Sequence, residues 1–277
     1  MKLCNILVNG DTHLALMTDC GVRDLAAAGF AYDMAALIAG SGMEELKALP
    51  AEKLPPVPSP VFGNILDRVG KLLCVGLNYS SHAQGVSMKI PEQPVLFSKF
   101  ANALAPCGAD IQLPPWEESY DYEAELVVVI GRETWNVSED EAMDHVFGYT
   151  CGNDLSCRDA QMRSGQWLIG KSMPGFGPCG PCIVTAGGFD PFGKSIRSYV
   201  NGQLRQDGST ADMLFNVARV ISYASRYLRL DPGDLIFTGT PSGVALEKGD
   251  KLRKWLRPGD RVDIEIEGIG TLTNVMK

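Results

Sequence analysis

The sequence predicts a mainly β fold, a sandwich or roll of short strands with a few covering helices, behind a small N-terminal part that mixes strands and helices. Three observations carry this. Past residue 60 the chain is a series of short apolar runs separated by glycine-containing turns, the texture of many short strands rather than of long helices. Two of the turns have hairpin chemistry: Val200-Asn201-Gly202-Gln203 holds the Asn-Gly pair of a type I′ turn, and Gly268-Ile269-Gly270 separates the last two alternating segments. Strands and helices do not alternate regularly, which argues against a doubly wound sheet or an eight-fold α/β barrel.

Taken in order, residues 1 to about 49 hold short apolar runs and alanine-rich, glycine-punctuated stretches. Pro50, Pro55, Pro56, Pro58 and Pro60 then mark a linker. The expected division is a small α+β domain with its linker over 1–60 and a main domain over 61–277. In the main domain strands are predicted at 72–77, 126–130, 183–185 and 235–238, and along the alternating Val262, Ile264 and Ile266. Ser138 with Glu141 forms a capping box, which predicts a helix running into 142–147. Met213, Leu214, Val217, Val220, Ile221, Ala224 and Leu228 keep helical spacing until Pro232-Gly233 stops them.

Composition narrows the function. A chain of 277 residues with 45% hydrophobic content can bury a sizeable core. Its 25 basic and 33 acidic residues give a net charge of −8, with a pI near 5.0. That balance removes the long-range attraction to phosphate, so neither nucleic acid nor membrane is expected as a partner. No apolar run approaches the roughly 20 residues of a spanning helix. Met1-Lys2-Leu3-Cys4-Asn5 lacks a basic region followed by an apolar stretch, and a cytoplasmic protein is expected. Eight cysteines without an export signal read as free thiols. Cys179-Gly180-Pro181-Cys182 is a CxxC with Cys151 and Cys157 upstream, but the wide upstream spacing and the following Ile183-Val184 fit buried strand thiols better than structural zinc. No GxGxxG opens a helix and no GxSxG motif is present, so a dinucleotide fold or a nucleophile elbow has no support.

The residues that could carry chemistry begin with Asp121-Tyr122-Glu123-Ala124-Glu125, which runs directly into Leu126-Val127-Val128-Val129-Ile130. On one strand, Glu123 and Glu125 share a face with Val127 and Val129, because side chains alternate. Two carboxylates on a buried face repel each other and resist desolvation, so they require a cation: Arg, Lys or a metal. The alternative is a solvated strand end with a local salt bridge. Asp154, in Gly152-Asn153-Asp154-Leu155, offers a third oxygen donor or caps a turn. Three carboxylates without nearby His or Cys ligands favour Mg²⁺ or Mn²⁺ over zinc. Of the three histidines, His82 follows an apolar strand and opens a flexible segment, whereas His13 and His145 have no supporting motif. Lys171 is a single cation among the apolar and small residues 167–172, with a surface lysine as the plainer reading.

In this order the segments resemble the fumarylacetoacetate hydrolase family over about residues 70–275. The resemblance rests on VGLNYSSHA (75–83), PVLFSKF (94–100), DYEAELVVVIG (121–131), GYTCGNDLSCRDAQ (148–161), GKSMPGFGPCGP (170–181) and GDLIFTGTPSGV (233–244), with GDRVDIEIEGIGTLTN (259–274) in agreement. It implies a mixed β-sandwich roll for the main domain, assembled as a homodimer. It also implies Mg²⁺ or Mn²⁺ held by Glu123, Glu125 and Asp154, a place that Ca²⁺ can take as a non-physiological occupant. The implied substrate is a small 2-oxo or diketo acid whose carboxylate and oxo oxygen chelate the metal, which stabilises enolate-like charge. Lys171 is then a catalytic cation near the same oxygens. Arg158, Gln161 and Thr240 bind substrate polar groups, and His82, on a lid segment, is the base that deprotonates water.

The first reaction implied is hydrolysis of a C–C bond in a 2,4-diketo acid or acylpyruvate. The alternatives are decarboxylation or isomerisation of an oxaloacetate-type or hydroxy-diene-dioate-type acid, and a silent metal- or metabolite-binding relative. One departure bears on the choice. Hydrolytic relatives commonly carry a Glu three residues after this His, and here the residue is Gly85, beside Gln84. An imidazole without its carboxylate is a weaker, less well oriented base unless another part of the fold or dimer supplies one. The stretch from Val86 to Pro91 and the N-terminal part are expected to shape the pocket.

Overall fold

The computed structural model describes residues 1–85, 89–249 and 253–277. The chain opens with the meander β1 (Lys2–Val8), β2 (Asp11–Thr18) and β3 (Gly21–Asp24). Two short helices, α1 (Met34–Ile38) and α2 (Met43–Ala48), and the edge strand β4 (Pro56–Val57) follow. The Asp33 carboxylate starts α1 by accepting the Ala36 N–H. The body then runs β5 (Leu72–Gly76), α3 (Ser80–Gly85), β6 (Val95–Lys99), β7 (Leu104–Ala105), β8 (Asp110–Ile111), β9 (Tyr120–Asp121), β10 (Ala124–Ile130) and α4 (Glu139–Ala142). It continues through β11 (Val146–Asn153), β12 (Ser156–Cys157), α5 (Arg158–Met162), α6 (Leu168–Lys171) and β13 (Gly177–Thr185). The last elements are β14 (Ser195–Val200), β15 (Gln203–Ser209), α7 (Val217–Ser225), β16 (Leu235–Phe237), β17 (Arg261–Ile266) and β18 (Gly270–Met276).

Among the described residues the largest sheet runs β4-β3-β2-β1-β13-β11-β10-β16-β5-β6, with β7 beside β13. A second sheet runs β15-β14-β17-β18-β8, and β9 pairs with β12. β1 is an inner strand, held by β2 on one side and β13 on the other, so residues 1–57 extend the main sheet.

Strand β10 explains the sandwich, because all seven of its residues are buried. Leu126, Val128 and Ile130 pack in one core with Ile196, Val262, Ile264, Ile266 and Leu272 of the second sheet. Val127 and Val129 face a second core with Leu3, Ile183, Phe237 and the α1 residues Leu37 and Ile38. Both faces of the strand are covered, which is why its sequence is a continuous apolar run. Each such Val or Leu contributes about 1.5–3 kcal/mol. The architecture is thus the mainly β sandwich roll that the sequence predicts, and the Asn201-Gly202 turn has the positive φ values, 51° and 75°, of its type I′ signature.

Two helices differ from expectation. The capping box at Ser138 forms, but α4 ends at Ala142 and gives way to a 3₁₀ turn at Met143–His145. Val146 and Phe147 belong to β11, because Val146 pairs with Ile130. The periodic run from Met213 becomes helical only at Val217, where the Asn216 side chain accepts the Arg219 N–H at 2.9 Å. Leu214 and Phe215 instead hydrogen-bond through their N–H groups to Asn78.

Candidate active site

Glu123 precedes β10 and Glu125 is its second residue, so both lie on the Val127–Val129 face. Asp154 follows directly on β11, whose last residue, Asn153, pairs with Ala124. The Asp154 N–H donates to the Glu123 carbonyl at 2.9 Å, and the Asn153 side-chain oxygen accepts the Glu123 N–H at 3.0 Å. Antiparallel pairing therefore delivers the third carboxylate beside the other two. All three are buried, and one oxygen from each lies within 4.8 Å of the others.

Three buried cations surround them. Lys171, at the end of α6, donates to Glu123 Oε2 and Asp154 Oδ2, both at 2.9 Å. Arg158, opening α5, donates from Nη2 to Glu123 Oε1 at 2.6 Å, from Nε to Asp121 Oδ2 at 3.0 Å and from Nη1 to Gln161 Oε1 at 2.9 Å. Lys99 closes β6 and lies 2.5 Å from Asp154 Oδ1. Its ammonium nevertheless donates to the carbonyls of Leu155, Lys171 and Phe176. Asp154 Oδ1 thus feels the Lys99 charge but accepts no hydrogen bond.

The carboxyls respond in opposite ways. Burial pushes Glu123 up, but the Lys171 and Arg158 charges outweigh it and hold the group well below the ordinary carboxylate range. Burial and the charges of Asp154 and Glu123 push Glu125 well above that range, against the 2.7 Å hydrogen bond from the Gly239 N–H. Gly239 is required there: its φ is 95°, and a Cβ would stand 2.7 Å from that of Asn78. Among the described residues, no ion pair neutralises Glu125. Three hard oxygen donors within reach of one another, with a Glu125 carboxyl that lacks an ion-pair partner among the described residues, fit a divalent ion of the Mg²⁺ or Mn²⁺ kind.

Above the carboxylates lies a cavity of about 550 Å³. Phe97 and Trp167 form an apolar wall, their rings edge to face at 5.3 Å, and His82, Gln161 and Thr240 also line it. The Thr240 hydroxyl donates to the Ala124 carbonyl and accepts from the Gln206 amide, both at 2.8 Å, so its proton is already committed to the fold. On α3, His82 Nδ1 lies 2.5 Å from Glu247 Oε1. All eight residues singled out from the sequence therefore line one cavity. His13 bonds Asp24 and His145 bonds Thr134, outside the cavity lining. Of the stretch 86–91 expected to shape the pocket, residues 86–88 lie outside the described residues.

Three neighbours were not singled out by the sequence. Lys99 had a signal, a cation closing the apolar run Val95-Leu96-Phe97. Asp121 opens the acidic run 121–125, and its carboxylate also accepts the Ala245 and Leu246 N–H groups at 2.8 and 3.0 Å. Glu247 has no local signal, because a contact far along the chain brings it to His82. The cysteines of the CxxC lie buried along β13 as free thiols, and burial raises Cys182 to about 11.

Comparison with known proteins agrees with this geometry. Residues 71–277 match the family model described as fumarylacetoacetate (FAA) hydrolase C-terminal. The fumarylacetoacetate hydrolase domain-containing protein 2 homolog of Dictyostelium discoideum is 45% identical over 75% of this chain and 72% of its own length. Oxaloacetate tautomerase fahd2, mitochondrial, of Xenopus laevis is 40% identical over 74% of this chain; the match spans 64% of that protein, just under two thirds of its length. The solved fumarylacetoacetate hydrolase of Exiguobacterium antarcticum superposes with a TM-score of 0.89 over 100% of this chain and 99% of that one, at 32% identity. Fumarylpyruvate hydrolase of Pseudomonas aeruginosa, solved with Mn²⁺ and pyruvate, gives a TM-score of 0.69 at 34% identity over 76% of this chain and 92% of its own. The chain belongs to the fumarylacetoacetate hydrolase family.

Proposed function

We propose that the chain is a divalent-metal-dependent enzyme that moves a proton between carbon and oxygen of a small 2-oxo acid, with keto–enol tautomerisation of an oxaloacetate-type acid as the reaction. The observation that carries this reading is the buried set Glu123, Glu125 and Asp154, within 4.8 Å of one another beside Lys171 at the floor of the cavity. The name of the Xenopus relative supports the choice of reaction.

Glu123, Glu125 and Asp154 would hold Mg²⁺ or Mn²⁺. When bound, the ion supplies Lewis-acid charge to the carboxylate and oxo oxygen of the substrate. Lys171 is kept protonated, because Asp154 and Glu123 outweigh its burial, and it adds fixed positive charge where negative charge develops. Arg158 spends its donors on Asp121, Glu123 and Gln161, so its role is to hold Glu123 and orient Gln161. Thr240 fixes the Ala124 carbonyl and with it the start of β10. The His82 imidazole takes the proton from the carbon beside the oxo group and passes it to the oxo oxygen, or the reverse in the enol-to-keto direction, ending each turnover neutral as it began. Phe97 and Trp167 exclude water from that exchange.

C–C hydrolysis of an acylpyruvate is the second reading, favoured by the size of the cavity, which exceeds what a four-carbon acid fills. Here His82 would take its proton from water. The test is turnover with Mn²⁺ against the enol form of oxaloacetate and against an acylpyruvate, with a chelator control. Metal-dependent loss of the enol absorbance supports tautomerisation, cleavage of the acylpyruvate alone moves the assignment to hydrolysis, and inactivity on both overturns the enzyme reading.

A further inference from the structure

His82 and Gly85 lie one turn apart on α3, so a side chain at 85 would stand on the same face as the imidazole. That place is taken. A Cβ built on Gly85 would lie 2.6 Å from Glu247 Cδ, 2.8 Å from Cγ and 3.0 Å from Oε1. The same Oε1 is 2.5 Å from His82 Nδ1. The backbone at 85 is not in the left-handed region, so glycine is needed there for space and not for conformation.

Glu247 is held on both sides. Its Oε2 accepts the Gly243 N–H at 2.6 Å. The 3₁₀ turn Ala245–Glu247 that carries it is pinned at its start by the Asp121 carboxylate, through the Ala245 and Leu246 N–H groups. Asp121 in turn binds Arg158, which binds Glu123. A continuous run of hydrogen bonds therefore links the carboxylate floor to the carboxylate beside His82. Both side chains of the pair are under 10% exposed, at 9% and 7%, which keeps competing water from the contact.

We propose that Glu247 is the positioning residue for His82, and that Gly85 is the vacancy that admits it. The carboxylate accepts the Nδ1 proton, which fixes one tautomer and leaves the Nε2 lone pair for the proton transfer assigned above. The proposal rests on that assignment for its kinetic consequence, while its structural content stands apart from it.

The test uses the full chain with histidine labelled by ¹⁵N, in which three imidazoles are assigned by single His→Gln variants. In the parent, His82 shows a protonated Nδ1 and an unprotonated Nε2 in its neutral form. Glu247→Ala moves that signal toward the Nε2-protonated tautomer common in water. An unchanged His82 signal in Glu247→Ala overturns the proposal whether or not any substrate is turned over, so its failure is distinguishable from failure of the functional reading. Turnover gives the second arm. Positioned general bases contribute about 10²–10⁴-fold, and Glu247→Ala is expected to lose about 10²-fold in kcat with KM little changed. Gly85→Glu alone crowds Glu247 and also loses activity. Gly85→Glu combined with Glu247→Ala supplies the carboxylate from the α3 side and recovers the parent rate to within about tenfold. A loss caused only by freeing the Gly243 loop would not be rescued by a carboxylate at 85, so a double variant no better than Glu247→Ala overturns the proposal.

Discussion

Replacing Lys99 by methionine tests how much of the site depends on a residue that makes no bond to the substrate. Lys99 is 3% exposed, and its ammonium serves the carbonyls of Leu155, Lys171 and Phe176. Methionine keeps the apolar stem and removes the donors. Each carbonyl then loses its partner in a dry environment, at about 1–3 kcal/mol apiece. Asp154 also loses the charge 2.5 Å from its Oδ1. Three such losses amount to several kcal/mol, a large share of the about 5–15 kcal/mol by which a domain is stable. For a 277-residue chain the unfolding entropy is about 0.6 kcal/mol/K, so each kcal/mol moves Tm by about 2 °C. Lys99→Met should therefore melt about 5–15 °C below the parent in scanning calorimetry on metal-free protein. Lys99→Arg should not restore it, because a planar guanidinium cannot direct donors at three converging carbonyls. A Tm within about 2 °C of the parent would refute the reasoning, since the carbonyls would then have other partners.

Two further outcomes are expected. A divalent ion at 100 times its Kd stabilises the folded state by about 2.7 kcal/mol, so saturating Mn²⁺ should raise the parent Tm by about 5 °C and leave Glu125→Gln nearly unmoved; equal shifts in a thermal titration would place the ion elsewhere. Lys71 bridges Asp231 and Asp234 at 2.7 and 2.8 Å, and although burial lowers its pKa, these bonds leave it raised, while Lys71 in turn holds Asp231 down. The lysine's contribution is complete below its unfolded value and lost as pH rises through the raised one. That of Asp231 is present above the ordinary carboxylate value and lost as pH falls through the depressed one. Denaturant midpoints of Lys71→Met should accordingly be flatter than the parent's at both the acid and the alkaline ends.

Local chemistry made part of this molecule readable. The run 126–130 identified β10 because both its faces are buried, and the same alternation put Glu123 and Glu125 on one face before their surroundings were known. Asn201-Gly202 specified its turn without help from the rest of the chain. The errors lie where tertiary pairing competes with local signal. The capping box began α4, but Val146 gains a ladder with Ile130 that a longer helix would forfeit. Met213 and Leu214 fit a helical stripe, yet Asn78 and Tyr79 capture that backbone first. Glu247 was unreadable for the same reason: nothing near it in sequence announces a histidine that lies 165 residues away.

The charges at the floor explain why these residues occur as a set. At the floor itself, leaving aside Glu247 beside His82, Asp121, Glu123, Glu125 and Asp154 carry four negative charges, and Lys99, Lys171 and Arg158 carry three positive ones, leaving −1. A proton on Glu125 would bring the sum to zero, which is the direction in which burial and its neighbours push that carboxyl. A divalent ion instead brings it to +1, and a 2-oxo acid with one carboxylate then brings it to zero. In the proposed reaction, moving the substrate's carbon-bound proton to His82 would change nothing in the total, so no further net charge would appear in the dry cavity. A second carboxylate on the substrate would restore −1 unless the cavity supplied a cation farther out, and Lys248 lines it. Lys248→Met should therefore raise KM for 2-oxo dioates by about fivefold, in line with the roughly 1 kcal/mol of a partly solvated pair, and leave KM for a monoacid unchanged. If both constants moved together, the lysine would be acting on the shape of the cavity and not on the charge of the substrate.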